Sequence, residues 1–276
     1  SRMLELFFEE ISEADNFYHL FRQDNPELNV RRRRGQGNRV RVTGDSEEIE
    51  KESVARTCTK LFIKNKESHY IQDILRKKFL FSNSEEIAKI TEITHAILDK
   101  DNPYYEEKIH DHQLRDTLMT IFLMHLNEEE IHYNSIVHFR LHHYLDELTE
   151  VVGFAIDEYK REEDYQSFVH TLREFVKNRE PTHEIIHVIQ NEPLQFYQDN
   201  GIQITQEEMS RMKQEFPLFM LGLPDDDWNI SPLIVLSPNK IYMYGENINA
   251  PYTHSIMNIF QERIEFLPLE YFPFQI

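Results

Sequence analysis

The chain has one cysteine, one tryptophan and seven glycines in 276 residues. A lone Cys58 excludes an intramolecular disulfide and a cysteine-built zinc site within one chain, and it fits a reducing cytoplasm. So few glycines argue against Gly-rich phosphate cradles. No Walker loop, dinucleotide G-x-G-x-x-G turn or G-x-S-x-G nucleophile elbow occurs. The longest near-apolar run, Leu118 to Leu126, is about half of what a bilayer requires. Glu5, Glu9 and Glu10 argue against a signal peptide, and Met3, after Ser1-Arg2, reads as the native start. No cofactor or metal is expected. Scattered carboxylates leave no linear trace, yet with every linear catalytic signature missing a binding role is preferred to an enzyme.

Charge is what the chain has in excess. Its formal charge is −19, which keeps it soluble and repels anionic membranes and DNA overall. Against that background residues 28–43 hold Arg31, Arg32, Arg33, Arg34, Arg39 and Arg41 and no acid, leaving −25 elsewhere. In strand geometry Arg31 and Arg33 point one way, Arg32 and Arg34 the other. A half-buried sheet cannot bury two of them unpaired. The hairpin must therefore project, or find acids on the body of the protein. Guanidinium forks suit carboxylate or phosphate. These six arginines are the candidate partner-binding residues, for an acidic protein first and nucleic acid second. Aromatic residues, on which single strands stack, are absent from the hairpin.

Periodicity organises the chain into an α+β protein in three segments: 1–45, 46–181 and 182–276. The first reads β-α-β-β. Residues 3–9 form a strand, Ser12 caps a helix carrying Ala14, Phe17 and Phe21, and Leu28–Arg34 and Arg39–Thr43 flank a Gly35-Gln-Gly-Asn38 turn. The second is helical, with apolar stripes such as Ile87, Ile90, Thr94 and Ile97, and a break at Asn102-Pro103. Its strongest stripe runs from Ser135 to Arg179, interrupted by the acids Glu162-Glu-Asp164. The third is α+β with hairpins. A strand at Glu184–Gln190 pairs with Leu194–Gln198, a turn follows at Asp199-Asn-Gly201, and Thr205 caps a helix. Two strands flank Ser237-Pro-Asn-Lys240, and a helix and a last strand follow.

His183-Glu-Ile-Ile-His187 matches the zinc-protease pattern, which requires a helix. Pro181 and the β-branched run give strand character instead, and residues i and i+4 of a strand lie roughly 13 Å apart. His138 and His142, four residues apart, are weighed the same way and read as polar positions beside the core stripe.

Phe139-Arg-Leu-His-His-Tyr-Leu-Asp-Glu-Leu-Thr-Glu-Val-Val152, the acidic Asp157-Glu158, Leu172-Arg-Glu-Phe-Val176 and Glu180-Pro181 together resemble the YtxC-like sporulation proteins of endospore-forming bacteria. His187-Val-Ile189, Asp199-Asn-Gly201, Leu236-Ser-Pro-Asn-Lys-Ile241 and Asn258-Ile-Phe-Gln-Glu-Arg263 extend the likeness. The resemblance implies a sporulation-associated cytoplasmic protein and carries no catalytic residues with it. A protein-interaction or scaffold role is the first reading. Nucleic-acid binding by Arg31–Arg41 is the alternative, and a hydrolase at His183 and His187 a distant one.

Overall fold

The computed structural model describes residues 3–33, 38–99, 114–127 and 130–275. Arg34, most of the Gly35–Asn38 turn and the Asn102-Pro103 break lie outside them. The described chain is α+β and forms two compact units, Ser1–Lys160 and Arg161–Ile276. The segment read as 46–181 contributes to both.

In the first unit β1 (Met3–Phe8), α1 (Ile11–Asp24), β2 (Asn29–Arg33) and β3 (Asn38–Thr43) realise the β-α-β-β opening. Four helices follow: α2 (Glu47–Asn65), α3 (Glu67–Lys77), α4 (Ser84–Leu98) and α5 (Leu114–Met124). Then come β4 (Glu130–His132), α6 (Tyr133–Phe139) and α7 (His142–Asn178). The sheet order is β2-β3-β1-β4, with β1 antiparallel to β3 and parallel to β4. Alternation along the strands decides its faces. Leu4, Leu6, Phe8, Val40, Val42 and Ile131 are buried, in one core with Ala14, Phe17 and Phe21 of α1. Glu5, Phe7, Arg39 and Arg41 take the intervening positions and are only half-buried.

Two local expectations change. Residue Glu10, not Ser12, precedes α1 as its cap, and the Ser12 hydroxyl donates to the Glu10 carboxylate at 3.4 Å. The acids Glu162, Glu163 and Asp164 do not interrupt the long stripe, because α7 runs through them. Glu162–Asp164 face solvent, and Glu162 accepts from the Gln166 amide one turn on, at 2.8 Å. Exposed acids cost a helix little when such i,i+4 partners exist.

The second unit holds β5 (His183–Ile189), β6 (Gln195–Gln198), β7 (Gln203–Ile204), α8 (Gln206–Gln214) and α9 (Ser231–Leu236). It ends with β8 (Pro238–Tyr244), α10 (Pro251–Phe260) and β9 (Ile264–Leu267). The order is β7-β6-β5-β8-β9; β5, β8 and β9 run parallel, and β6 and β7 extend the sheet by antiparallel hairpins. The expected hairpin around Ser237–Lys240 is not one. Pro232–Leu236 belongs to α9, entirely buried, and Ser237 turns the chain at φ 45° into β8. An apolar run with no polar side gives no period to read. The helix is set by Asp227, whose carboxylate accepts the N–H groups of Asn229, Ile230 and Ser231 at 3.3, 3.0 and 2.6 Å. Among the described residues no helix is long and apolar enough to cross a membrane.

The Thr205 cap is present in full. Its hydroxyl accepts from the Glu208 N–H at 3.2 Å, and the Glu208 carboxylate accepts from the Thr205 N–H at 3.0 Å. Thr205→Ala should lower stability by about 1 kcal/mol, read as a lower urea midpoint with an unchanged slope. A change below a few tenths would show that α8 does not depend on its capping box.

Candidate functional site

The arginine face is assembled by strand register. Arg31 lies opposite Arg41, Arg41 opposite Glu5, and Glu5 opposite Glu130. The next row is Arg33, Arg39, Phe7 and His132. Arg31, Arg41, Glu5, Arg39 and Phe7 alternate with the buried valines and leucines and stand on the other side of the sheet. Arg31 is exposed. The Arg39 and Arg41 guanidiniums lie 3.8 and 3.6 Å from the Glu5 carboxylate. Arg32 faces the opposite, packed side. There its Nε donates to Asp15 of α1 at 2.9 Å and its Nη1 to the Arg39 carbonyl at 3.2 Å. Burying a guanidinium demands such partners. The six arginines therefore divide: Arg32 is spent on the fold, while Arg31, Arg39 and Arg41 remain on the outer face.

Register also supplies the rings that the hairpin sequence lacks. The Arg39 guanidinium sits 4.6 Å from the Phe7 ring centre. Phe7 stacks on His132 at 4.8 Å and 18°. Beyond β4, the edge strand, lies a groove of about 590 Å³ lined by Met124, His125, His132, Ile136, Phe139 and Arg140 among others. Phe139 is 74% exposed there and Met124 65%. Phe7, His132 and Phe139 escaped the sequence reading because they are far apart along the chain. The outward positions of a β-α-β-β-x-β pattern were the one signal that could have found the first two.

The histidine motifs resolve differently. His183 and His187 lie on β5, as strand character required. His187 is 5% exposed, its Nε2 2.9 Å from Asp199 Oδ1 and its Nδ1 2.8 Å from the Tyr244 hydroxyl. His183 Nδ1 instead faces the Leu236 carbonyl at 2.8 Å. Burial, with Tyr242, Asp199 and Glu265 nearby, pushes the Tyr244 hydroxyl up to about 12. His138 lies in the last turn of α6 and His142 opens α7, so the two do not share a helix face. Among the described residues no cluster of three or more His, Cys, Asp or Glu is arranged to hold a metal. Cys58 is buried, and desolvation raises its thiol far above the ordinary range, which makes it inert at neutral pH.

One polar cluster has no linear signature. Glu67, fully buried, gathers four helices of the first unit. His95 Nδ1 of α4 lies 3.2 Å from its Oε1, Arg115 Nη2 of α5 donates to the same oxygen at 3.2 Å, and the Tyr144 hydroxyl of α7 donates to Oε2 at 2.9 Å. Ser68 Oγ completes a chain at 2.8 Å from His95 Nε2. Serine, imidazole and carboxylate in this order are connected like a nucleophile, base and orienting acid. Here, however, the carboxylate also carries Arg115 and Tyr144, and Arg115 is tied on to Asp99 at 2.8 Å. Its bonds are those of a structural junction.

Comparison with known proteins agrees with the resemblance. The family model described as "YtxC-like family" matches residues 52–265. A protein of Bacillus subtilis (strain 168), "Uncharacterized protein YtxC", is 29% identical over 287 residues, covering 98% of this chain and 96% of that one. No solved structure matches. With most of its length matched by the family model, the chain belongs to the YtxC-like family.

Proposed function

We propose that the protein acts by binding rather than by catalysis, as a cytoplasmic interaction protein of sporulating cells that engages an anionic partner through the outer face of its first sheet. The sporulation link comes from the family resemblance. One observation supports the binding face: a chain of formal charge −19 gathers Arg31, Arg39 and Arg41 on one side of one sheet. Charge of the opposite sign to the body, gathered on the face of the sheet that does not join the core, favours a partner.

A pull-down from sporulating cells tests this, comparing the wild type with a variant carrying Arg31→Gln, Arg33→Gln, Arg39→Gln and Arg41→Gln. The pairs with Glu5, at 3.8 and 3.6 Å, are beyond hydrogen-bond distance and glutamine can still donate to the carboxylate, so the variant should lose some stability yet keep its helical circular dichroism. It should lose partners that the wild type releases between low and high salt. An identical set of salt-sensitive partners on both proteins would overturn the proposal.

A further inference from the structure

We infer that the anionic partner is single-stranded nucleic acid, held on the outer sheet face with a base stacked in the groove beside β4. This rests on the binding face proposed above. What it adds comes from the planar groups, for which an acidic protein surface has no use. Arg39, Phe7 and His132 form a column across β3, β1 and β4, with the guanidinium 4.6 Å from the phenyl centre and the two rings 4.8 Å apart at 18°. The column is built by register and ends at the sheet edge. There His132 is 55% exposed and lines the groove of about 590 Å³ together with Phe139 and Arg140. A cavity of this size takes a ligand on the scale of a nucleotide.

Base–aromatic stacking needs an unpaired base, whereas a duplex offers only base edges in its grooves. Phe139 and His132 thus present rings that a splayed base can cover, and Arg140 adds a cation over or beside it. Glu130 also lines the groove, with its carboxylate 3.8 Å from His132 Nε2. It supplies an acceptor suited to an exocyclic amino group. Arg31, Arg39 and Arg41 serve the phosphates. Glu5, whose Oε1 lies 3.8 and 3.6 Å from the last two guanidiniums, offsets part of their charge and moderates affinity.

The test is fluorescence anisotropy of the purified full chain with labelled oligodeoxycytidylate, the matching duplex, and polyglutamate as a polyanion without bases. The single strand should bind, with a logarithmic salt slope of about −2 for three phosphate contacts, and the duplex should bind at least several-fold more weakly. Phe139→Ala removes an exposed ring and leaves the core untouched. It should weaken the single strand about tenfold with no change for polyglutamate. Arg31→Gln with Arg140→Gln should weaken the single strand and flatten the salt slope. If single strand and polyglutamate bind alike and Phe139→Ala alters neither, stacking is refuted while the anionic-partner reading stands. If nothing binds at low salt, both fall. If the single strand binds but ignores the arginine changes, its site lies elsewhere and the inference is wrong.

Discussion

Replacing Glu67 by Gln should be among the most damaging single changes in the first unit, lowering its stability by about 3 kcal/mol. The side chain is fully buried, and its carboxylate joins α3 to His95, Arg115 and Tyr144 on three other helices. Removing the buried charge leaves the Arg115 guanidinium, only 20% exposed, with the solvent-facing Asp99 as its remaining counter-charge. The amide can offer Tyr144 or Arg115 one acceptor, not two. At 2–4 °C per kcal/mol for a unit of this size, the melting temperature should fall by roughly 6–12 °C. The pH dependence carries the signature. Burial by itself raises the Glu67 carboxyl, but hydrogen bonds from His95, Tyr144 and Arg115 and the Arg115 charge outweigh it and hold the group below its ordinary value. A depressed folded value stabilises above the unfolded carboxyl range of about 4.3 and is lost as pH falls through the folded value. The gap between wild type and Glu67→Gln should therefore close in strong acid, as pH falls through the folded value of the carboxyl. A loss below about 1 kcal/mol, or a gap that stays fully open in strong acid, would mean that the carboxylate is not the junction.

That junction marks where sequence reading stops. The stripe Ile87, Ile90, Thr94 and Ile97 was legible because burial on one helix face repeats locally, and all four are buried. The Thr205 cap was legible for the same reason, since a cap adjoins the helix it opens, and the structure adds Glu208 as its reciprocal partner. The strand at His183–Ile189 followed from Pro181 and its β-branched run. Glu67, His95, Arg115 and Tyr144 share no spacing at all, since four helices must pack before they meet. Arg32 is similar. Alternation alone said that some arginines would face inward, but only the packing of α1 names Asp15 as the acid that receives one. At the candidate site, charge was visible as a run, whereas the column of Arg39, Phe7 and His132 exists only through the order β2-β3-β1-β4. The α9 segment failed for the opposite reason. Its residues are buried on every side, so hydrophobicity carries no period, and the deciding group, Asp227, lies upstream of the apolar run.

In the second unit the largest polar effect is expected at Lys213, where Lys213→Met should cost about 2–4 kcal/mol. The side chain is 8% exposed, and its ammonium donates to the carbonyls of Asp225 and Asp227 at 2.8 and 2.6 Å while lying 4.4 Å from the Trp228 ring centre. Methionine matches the length of the stem and keeps its apolar contacts. What it loses is the charge over the indole and the hydrogen bonds to the two carbonyls. Both carbonyls belong to the loop whose Asp227 side chain collects the N–H groups that start α9. Loosening the loop therefore acts on a helix with every residue buried. Trp228 is the single tryptophan of the chain, so its emission reports this loop directly. The variant should show a red-shifted native spectrum and a lower urea midpoint by fluorescence. Lys240→Met is the matched control. Lys240 also lies over a ring, 5.4 Å from Tyr242, but its ammonium pairs with the half-exposed Glu265 at 3.7 Å. Surface pairing of that kind is worth at most about 1 kcal/mol. If the two variants lose equal stability, the buried carbonyl bonds are not what distinguishes Lys213, and the ring contact common to both lysines sets the effect.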